Sequence, residues 1–195
     1  MIVYEFKCIG NKIQYQRMNE AIRVTQFIRN KCLRYWLDNR GVNANGLYKY
    51  TAVLAKEFSF ANNLNSMARQ AASERCWFAI SRFFANCKAK KPGKKGYPKF
   101  QKRCRSVEYK TSGWKLTDDR KYIIFTDKCL IGKVKLVGTY DLHFYQIEQI
   151  KRVRIVKRSD GYYVQFCIDA ERNIESELTN RNLGIDAFVK RFLYR

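Results

Sequence analysis

Proline and histidine are nearly absent from the 195 residues: Pro92 and Pro98 are the two prolines and His143 the one histidine. With no Cys or Ser partner in a recognisable arrangement, His143 offers no nucleophile–base pair and reads as a surface or satisfied polar residue. Seven cysteines are present, but they lie far apart and no CxxC pair occurs. Tetrahedral zinc sites draw at least one close ligand pair from a turn, so the chain offers no zinc site of its own. An odd cysteine count without a secretory signature reads as reduced thiols in cytosol, nearly all of them core fillers. No window approaches the ~20 uninterrupted apolar residues of a membrane span. Residues 1–12 alternate and carry charge early, unlike a signal peptide. No acid occurs between Glu74 and Glu108.

What is abundant is positive charge. Lys and Arg number 39 against 17 Asp and Glu, a net charge of +22. Such an excess repels itself unless an anionic partner screens it. Nucleic acid is the first such partner and an anionic membrane surface the second. At 46% hydrophobic and 15% aromatic residues, the chain is too apolar for a disordered polybasic tail. A core is therefore expected, with the charge on its outside.

The patterning divides the chain. Ile2, Tyr4, Phe6 and Cys8 alternate onto one face of a half-buried strand. A turn at Gly10-Asn11 and a short partner over 13–16 would complete a hairpin, so 1–18 reads as the first strands of a barrel. From Asn19, a plausible N-cap, Ala21, Val24, Ile28, Cys32 and Tyr35 recur at helical spacing, with Gly41 a plausible stop. A second helix fits Leu47, Tyr50, Leu54 and Phe58. A third begins at Ser66 and carries Trp77, Ile80, Phe84 and Cys87 on one stripe, with Arg69, Arg75 and Arg82 largely off it. The span 19–88 is thus a compact helical unit. Trp36, Trp77 and Trp114 read as core anchors, Trp114 least clearly.

The stretch 89–105 is different. Lys88, Lys90, Lys91, Lys94, Lys95, Lys99, Lys102, Arg103 and Arg105 crowd around both prolines, Gly93 and Gly96, a composition for a loop. Tyr97 and Phe100 interrupt the lysines. Lysines reach phosphates and interleaved aromatics stack on bases, so this loop carries the nucleic-acid expectation. After it, 107–110, 122–126, 130–137, 150–157 and 162–169 read as strands. Arg158-Ser159-Asp160-Gly161 is a hairpin turn between the last two. Arg152 and Arg154 add positive charge to one of them. A polar linker over 171–182 precedes a new short strand, 183–186. The expected class is α+β: an antiparallel barrel with a helical unit inserted between its first and later strands.

The helical unit admits two readings, a helix-turn-helix entering a major groove or a plain three-helix bundle with surface arginines. Gln26 and Asn30, near Arg23 and Arg29, are candidate base contacts. Asp186 ends a short apolar strand, where a carboxylate would start a two-metal phosphoryl-transfer site, yet the nine residues after it contain no Asp or Glu.

The ordered set 27–36 (FIRNKCLRYW), 94–100 (KKGYPKF), 106–109 (SVEY), 160–166 (DGYYVQF) and 183–186 (LGID) resembles the N-terminal part of the OrfB/TnpB proteins of bacterial insertion sequences. These are transposase-associated, RNA-guided DNA nucleases, kin of the type V CRISPR effectors. The resemblance implies that 1–18 and 106–170 form a barrel-like wedge domain and 19–88 a helix-turn-helix-like recognition lobe inserted into it. Residues 183–195 would open an RNase H-like, RuvC-type nuclease domain. Partners would be a guide RNA from the transposon end, target DNA with a short flanking motif and, for cleavage, a C-terminal nuclease fragment in trans. Asp186 would be the first catalytic, magnesium-holding carboxylate of an incomplete site. Magnesium serves the full-length family, and no cofactor is expected for this chain alone. Binding would fall to the loop residues with Arg69, Arg75, Arg82, Arg152 and Arg154, in a bacterial, cytoplasmic, nucleoid-associated protein unable to cleave by itself. Phe188 stands where the family pattern has glycine. An independent RNA- or DNA-binding regulator and a plain transposase-type DNA-binding protein are the alternatives.

Overall fold

The structure, a computed structural model, describes residues 1–90 and 92–171. Lys91, most of the 171–182 linker, the 183–186 strand, Asp186 and Phe188 lie outside the described residues. The chain opens with β1, Ile2–Ile9, whose alternation buries Phe6 and Cys8. No hairpin follows. Residues 13–16 belong instead to α1, Lys12–Asp38, so the expected boundary at 18 moves to 11. A capping box sets the start: the Gln14 N–H donates to Asn11 Oδ1 (2.9 Å), and the Asn11 N–H to Gln14 Oε1 (3.0 Å). The Ile13/Tyr15 alternation that suggests a strand is accidental, since Ile13 is exposed while Tyr15 stacks on Tyr162 (5.2 Å).

Helix α1 buries Met18, Ile22, Thr25, Ile28 and Cys32 on one stripe. Helix α2, Ala44–Glu57, is capped by Asn43 and buries Leu47, Thr51 and Leu54. A single turn, α3 (Ser59–Asn63), absent from the sequence reading, leads into α4, Ser66–Lys88, capped by Asn65. The expected stripe on α4 is only partly correct. Ile80 is fully buried, but Phe84 and Cys87 are exposed and Trp77 is half-buried. Small residues, Ala68, Ala72 and Cys76, are among those α4 buries, and α1 is among the elements it packs against. Of the cysteines, Cys8, Cys32, Cys76 and Cys167 are buried, Cys104 and Cys129 half-buried, and Cys87 exposed. Core filling therefore describes four of the seven.

The sheet is one antiparallel surface of seven strands. After β1 come β2 (Ser106–Tyr109), β3 (Trp114–Leu116), β4 (Tyr122–Phe125), β5 (Gly132–Val137), β6 (Ile150–Arg158) and β7 (Gly161–Ile168). Their order is β2-β6-β7-β1-β5-β4-β3. The two edges, β2 and β3, are joined by only the short 110–113 link, so the sheet must curl, and it forms a half-barrel. Tyr109 on one edge meets Phe125 from the other end at 5.0 Å. Tyr162, Val164, Phe166 and Ile168 all face the core, as their alternation predicts, and Trp114 is buried. The β6–β7 hairpin closes Arg158 against Gly161, whose φ of +141° only glycine adopts readily. Among the described residues no helix is long and apolar enough to cross a membrane.

Two polar clusters join the helices to the sheet. In the first, Glu108 of β2 accepts from Arg152 (2.5 Å) and Arg154 (2.5 Å) of β6. Glu74 of α4 takes Arg152 (2.9 Å), Lys110 and the Tyr48 hydroxyl (2.5 Å). In the second, Asp127 is buried; it accepts from the Asn65 N–H (2.7 Å) and the Tyr109 hydroxyl (2.8 Å). Burial outweighs these bonds and raises its pKa to about 6. A carboxyl raised in the folded state stabilises below its unfolded pKa of about 3.9 and loses that contribution as pH rises through about 6. Between pH 4 and 6 the wild type should therefore lose on the order of 2–3 kcal/mol relative to Asp127→Asn. Thermal melts of both proteins across that window check this, and parallel curves would refute it.

Candidate nucleic-acid interface

Among its described residues the basic loop has no helix or strand, yet from Lys95 to Arg105 its backbone is pinned by hydrogen bonds. Gln26 Nε2 donates to the carbonyls of Gln101 (3.0 Å) and Lys102 (3.1 Å), and its Oε1 accepts from the Cys104 N–H (2.8 Å). Asn30 both donates to the Gln101 carbonyl and accepts from its N–H, each at 2.9 Å. Arg29, nearly buried, donates to the Lys99 carbonyl (3.2 Å), and Asn86 on α4 to the Lys95 carbonyl (3.0 Å). The Lys157 N–H donates to the Arg105 carbonyl (2.7 Å). Buried Pro98 and the left-handed turn at Gly96 (φ +77°) shape the path between these anchors.

This geometry corrects the sequence reading of Gln26 and Asn30. They lie on one flank of α1, a turn apart, and their amides are consumed by the loop rather than offered to bases. Their spacing of four was visible in the sequence, but the backbone partner 71–78 residues away was not. Replacing Asn30 by Ala removes a reciprocal pair of bonds. Proteolysis between 94 and 103 should then become several-fold faster while the melting temperature changes little. An unchanged cleavage rate would mean the loop is held elsewhere.

With its backbone tied down, the loop turns side chains outward. Lys88, Lys90, Lys94, Lys99, Lys102, Arg103 and Arg105 are exposed, and Lys95 is half-exposed. Tyr97 and Phe100 are each about half exposed, at 52% and 48%. Tyr97 packs edge-on to Phe83 (5.1 Å) and lies 6.5 Å from Trp36, which itself meets Phe84 (6.1 Å). Phe100 instead lines an open cleft of about 680 Å³ on α1, with Arg23, Phe27, Lys31, Arg34 and Lys102. An adjoining cleft of about 630 Å³ shares Arg23 and Phe27 and reaches Phe60. Arg23, Lys31 and Arg34 were not among the expected binding residues. Their i, i+8 and i+11 placement on α1 was the signal.

The remaining expected cations are distributed differently. Arg82 is exposed on α4. Arg69 closes the α3 turn by donating to the Leu64 carbonyl (2.5 Å), and Arg75 reaches Ser106 Oγ (3.3 Å). Arg152 and Arg154 belong to the Glu74–Glu108 cluster. Burial raises the pKa of each of those carboxyls, but the guanidiniums and Lys110 outweigh it, so both stay below the ordinary carboxylate range. The two acids that border the acid-free stretch are thus neutralised internally. The segment between them contributes no carboxylate of its own. Among the described residues no three His, Cys, Asp or Glu side chains gather to hold a metal ion. His143 is exposed. No protein-family model matches the chain, and no curated protein matches it.

Proposed function

We propose that this chain is a nucleic-acid-binding module, and that it serves as the RNA- and target-gripping half of an RNA-guided nuclease of the OrfB/TnpB type. The observation that carries binding is the basic loop held to α1 by its own backbone. Lysine and arginine heads cost little to order when the chain bearing them is already fixed, so phosphates meet a preorganised surface. The narrower assignment rests on the five ordered motifs and on the half-barrel with helices inserted after its first strand. Under it, the partners are a guide RNA from the transposon end and DNA with a short flanking motif. Cleavage would need magnesium and further carboxylates beside Asp186, supplied for example by a nuclease fragment in trans. The helix-turn-helix description of 19–88 remains part of this proposal only.

The test is to purify the chain through moderate salt and sequence the nucleic acid that remains bound. A discrete RNA from a transposon end supports the full reading. A random mixture that binds with a steep salt dependence leaves only generic nucleic-acid binding. No retained or added nucleic acid at any salt would refute both.

A further inference from the structure

The clefts on α1 have a shape that says more than their charge. At about 100° per residue, Gln16, Glu20, Arg23, Phe27 and Arg34 project from one stripe of α1. Gln26 and Asn30 lie on one flank of that stripe, where they hold the loop. Val24 and Lys31 lie on the other, where the Phe58–Phe60 corner packs: Phe27 meets Phe58 and Phe60 at 5.0 Å each, and the Lys31 ammonium sits 5.1 Å from the Phe58 ring. The stripe is therefore the floor of a trough walled by the loop and by the 58–60 corner. From Gln16 to Arg34 it runs about 27 Å along the helix axis.

A recognition helix must project, because it has to enter a major groove about 12 Å wide. Flanked by the loop on one side and the 58–60 corner on the other, α1 is not the free-standing helix that such an entry needs. A single strand can lie in such a trough, with its bases turned to the aromatic groups and its phosphates to the rim. The trough supplies both kinds of contact. Phe60 and Phe100 are exposed at its sides, and Phe27 is half-buried in its floor. Arg23 and Lys102 are exposed, with Lys31 half-exposed, and none of the three is ion-paired among the described residues. Glu20 is the one acid lining either cleft. Alternating aromatic and cationic groups along a groove are what sequence-tolerant single-strand binding requires.

We infer that the α1 trough is a single-strand site, taking unpaired DNA or RNA with bases stacked against Phe27, Phe60 and Phe100 and phosphates held by Arg23, Lys31 and Lys102. The inference rests on the nucleic-acid reading above and narrows it to an unpaired strand and a named groove. It is tested on the full chain by fluorescence anisotropy, using labelled oligo-dT and oligo-U of about 12 nucleotides and a mixed-sequence duplex of equal length. Phe100→Ala and Arg23→Gln are the test variants, and Phe78→Ala, an exposed aromatic on α4, is the control.

The expected result is binding of at least one single strand about tenfold or more tighter than the duplex. Both test variants should lose single-strand affinity several-fold with duplex affinity unchanged, and the control should behave as wild type. The better of the two single strands identifies the preferred sugar. Placing 5-iodouracil in the oligomer should give a photo-crosslink to Phe27, Phe60 or Phe100, a readout that a merely structural role for these rings would not produce. Equal or tighter duplex binding, variants that weaken both probes alike, or crosslinks mapping elsewhere would overturn the trough and leave nucleic-acid binding standing. Failure to bind any probe would overturn both.

Discussion

A Glu108→Ala chain should melt about 6–12 °C below wild type. The side chain is 4% exposed; among the described residues it is the only carboxylate that holds Arg154 and one of two that hold Arg152. Removing it leaves Arg154 without a carboxylate and Arg152 with Glu74 alone. Breaking a buried pair in this way costs about 3–5 kcal/mol, and the partial exposure of both arginines places the loss near the lower end. The pH dependence carries a matching signature. Glu108 and Glu74 are held below the ordinary carboxylate range, so their contribution is present above about pH 4.3 and lost as pH falls further. Wild type should therefore steepen its loss of stability below pH 4 and the variant should lose less. Differential scanning calorimetry from pH 3 to 7 separates the cases. A variant that melts within a degree of wild type would show that the cluster is ornamental to the fold. The acid-side loss is opposite in sign to the Asp127 effect, so a stability maximum in mildly acidic solution is expected when both act.

Replacing Lys94, Lys99, Lys102 and Arg103 together by Ala should change binding more than any single substitution. Each phosphate contact contributes about 0.7–0.9 to the slope of log K against log salt, so four lost contacts should flatten it by about 3. Because the loop is fastened through the carbonyls and N–H groups of 95, 99, 101, 102 and 104, these replacements leave its path intact. Unchanged melting and circular dichroism would confirm that. Under the proposed binding the heads removed meet phosphates and not base edges, so the loss should be nearly uniform across sequences. A slope that stays at the wild-type value would mean the lysines are solvated bystanders and that the binding face lies elsewhere.

Much of this architecture was legible because it depends on local pattern. The helical spacing of Ala21, Val24, Ile28 and Cys32, the Asp160-Gly161 turn and the glycine–proline punctuation of the loop each act within a few residues. What was missed depends on partners. Residues 13–16 alternate like a strand, but a reciprocal bond between Asn11 and Gln14 decides for helix. Strand β3 has only three residues, too few for a period, and exists because Trp114 finds Phe125 opposite it. On α4 the large aromatics suggested the buried stripe. The actual stripe is mostly small residues, and the aromatics gather at the helix end with Trp36 and Tyr97. The basic loop was visible as charge. That it is a rim of a trough was not, since the wall opposite is the short α3 corner, which no pattern announces.

The position of β1 has a consequence for how the chain is made. This strand lies in the middle of the sheet, Lys7 pairing with Val137 and Ile2 with Ile168. Its partners are thus β5 and β7, and β7 is the last strand of the described fold. Helices α1, α2 and α4 are close in sequence and can condense as soon as they leave the ribosome, since local contacts form fastest. The first eight residues cannot. At about 5–20 residues per second they wait on the order of ten seconds, with Phe6 and Cys8 exposed and both ladder edges open. The basic helical unit would meanwhile be assembled and already competent to meet a polyanion. An RNA engaged during that interval would hold the half-made protein in solution while its central strand awaits its neighbours.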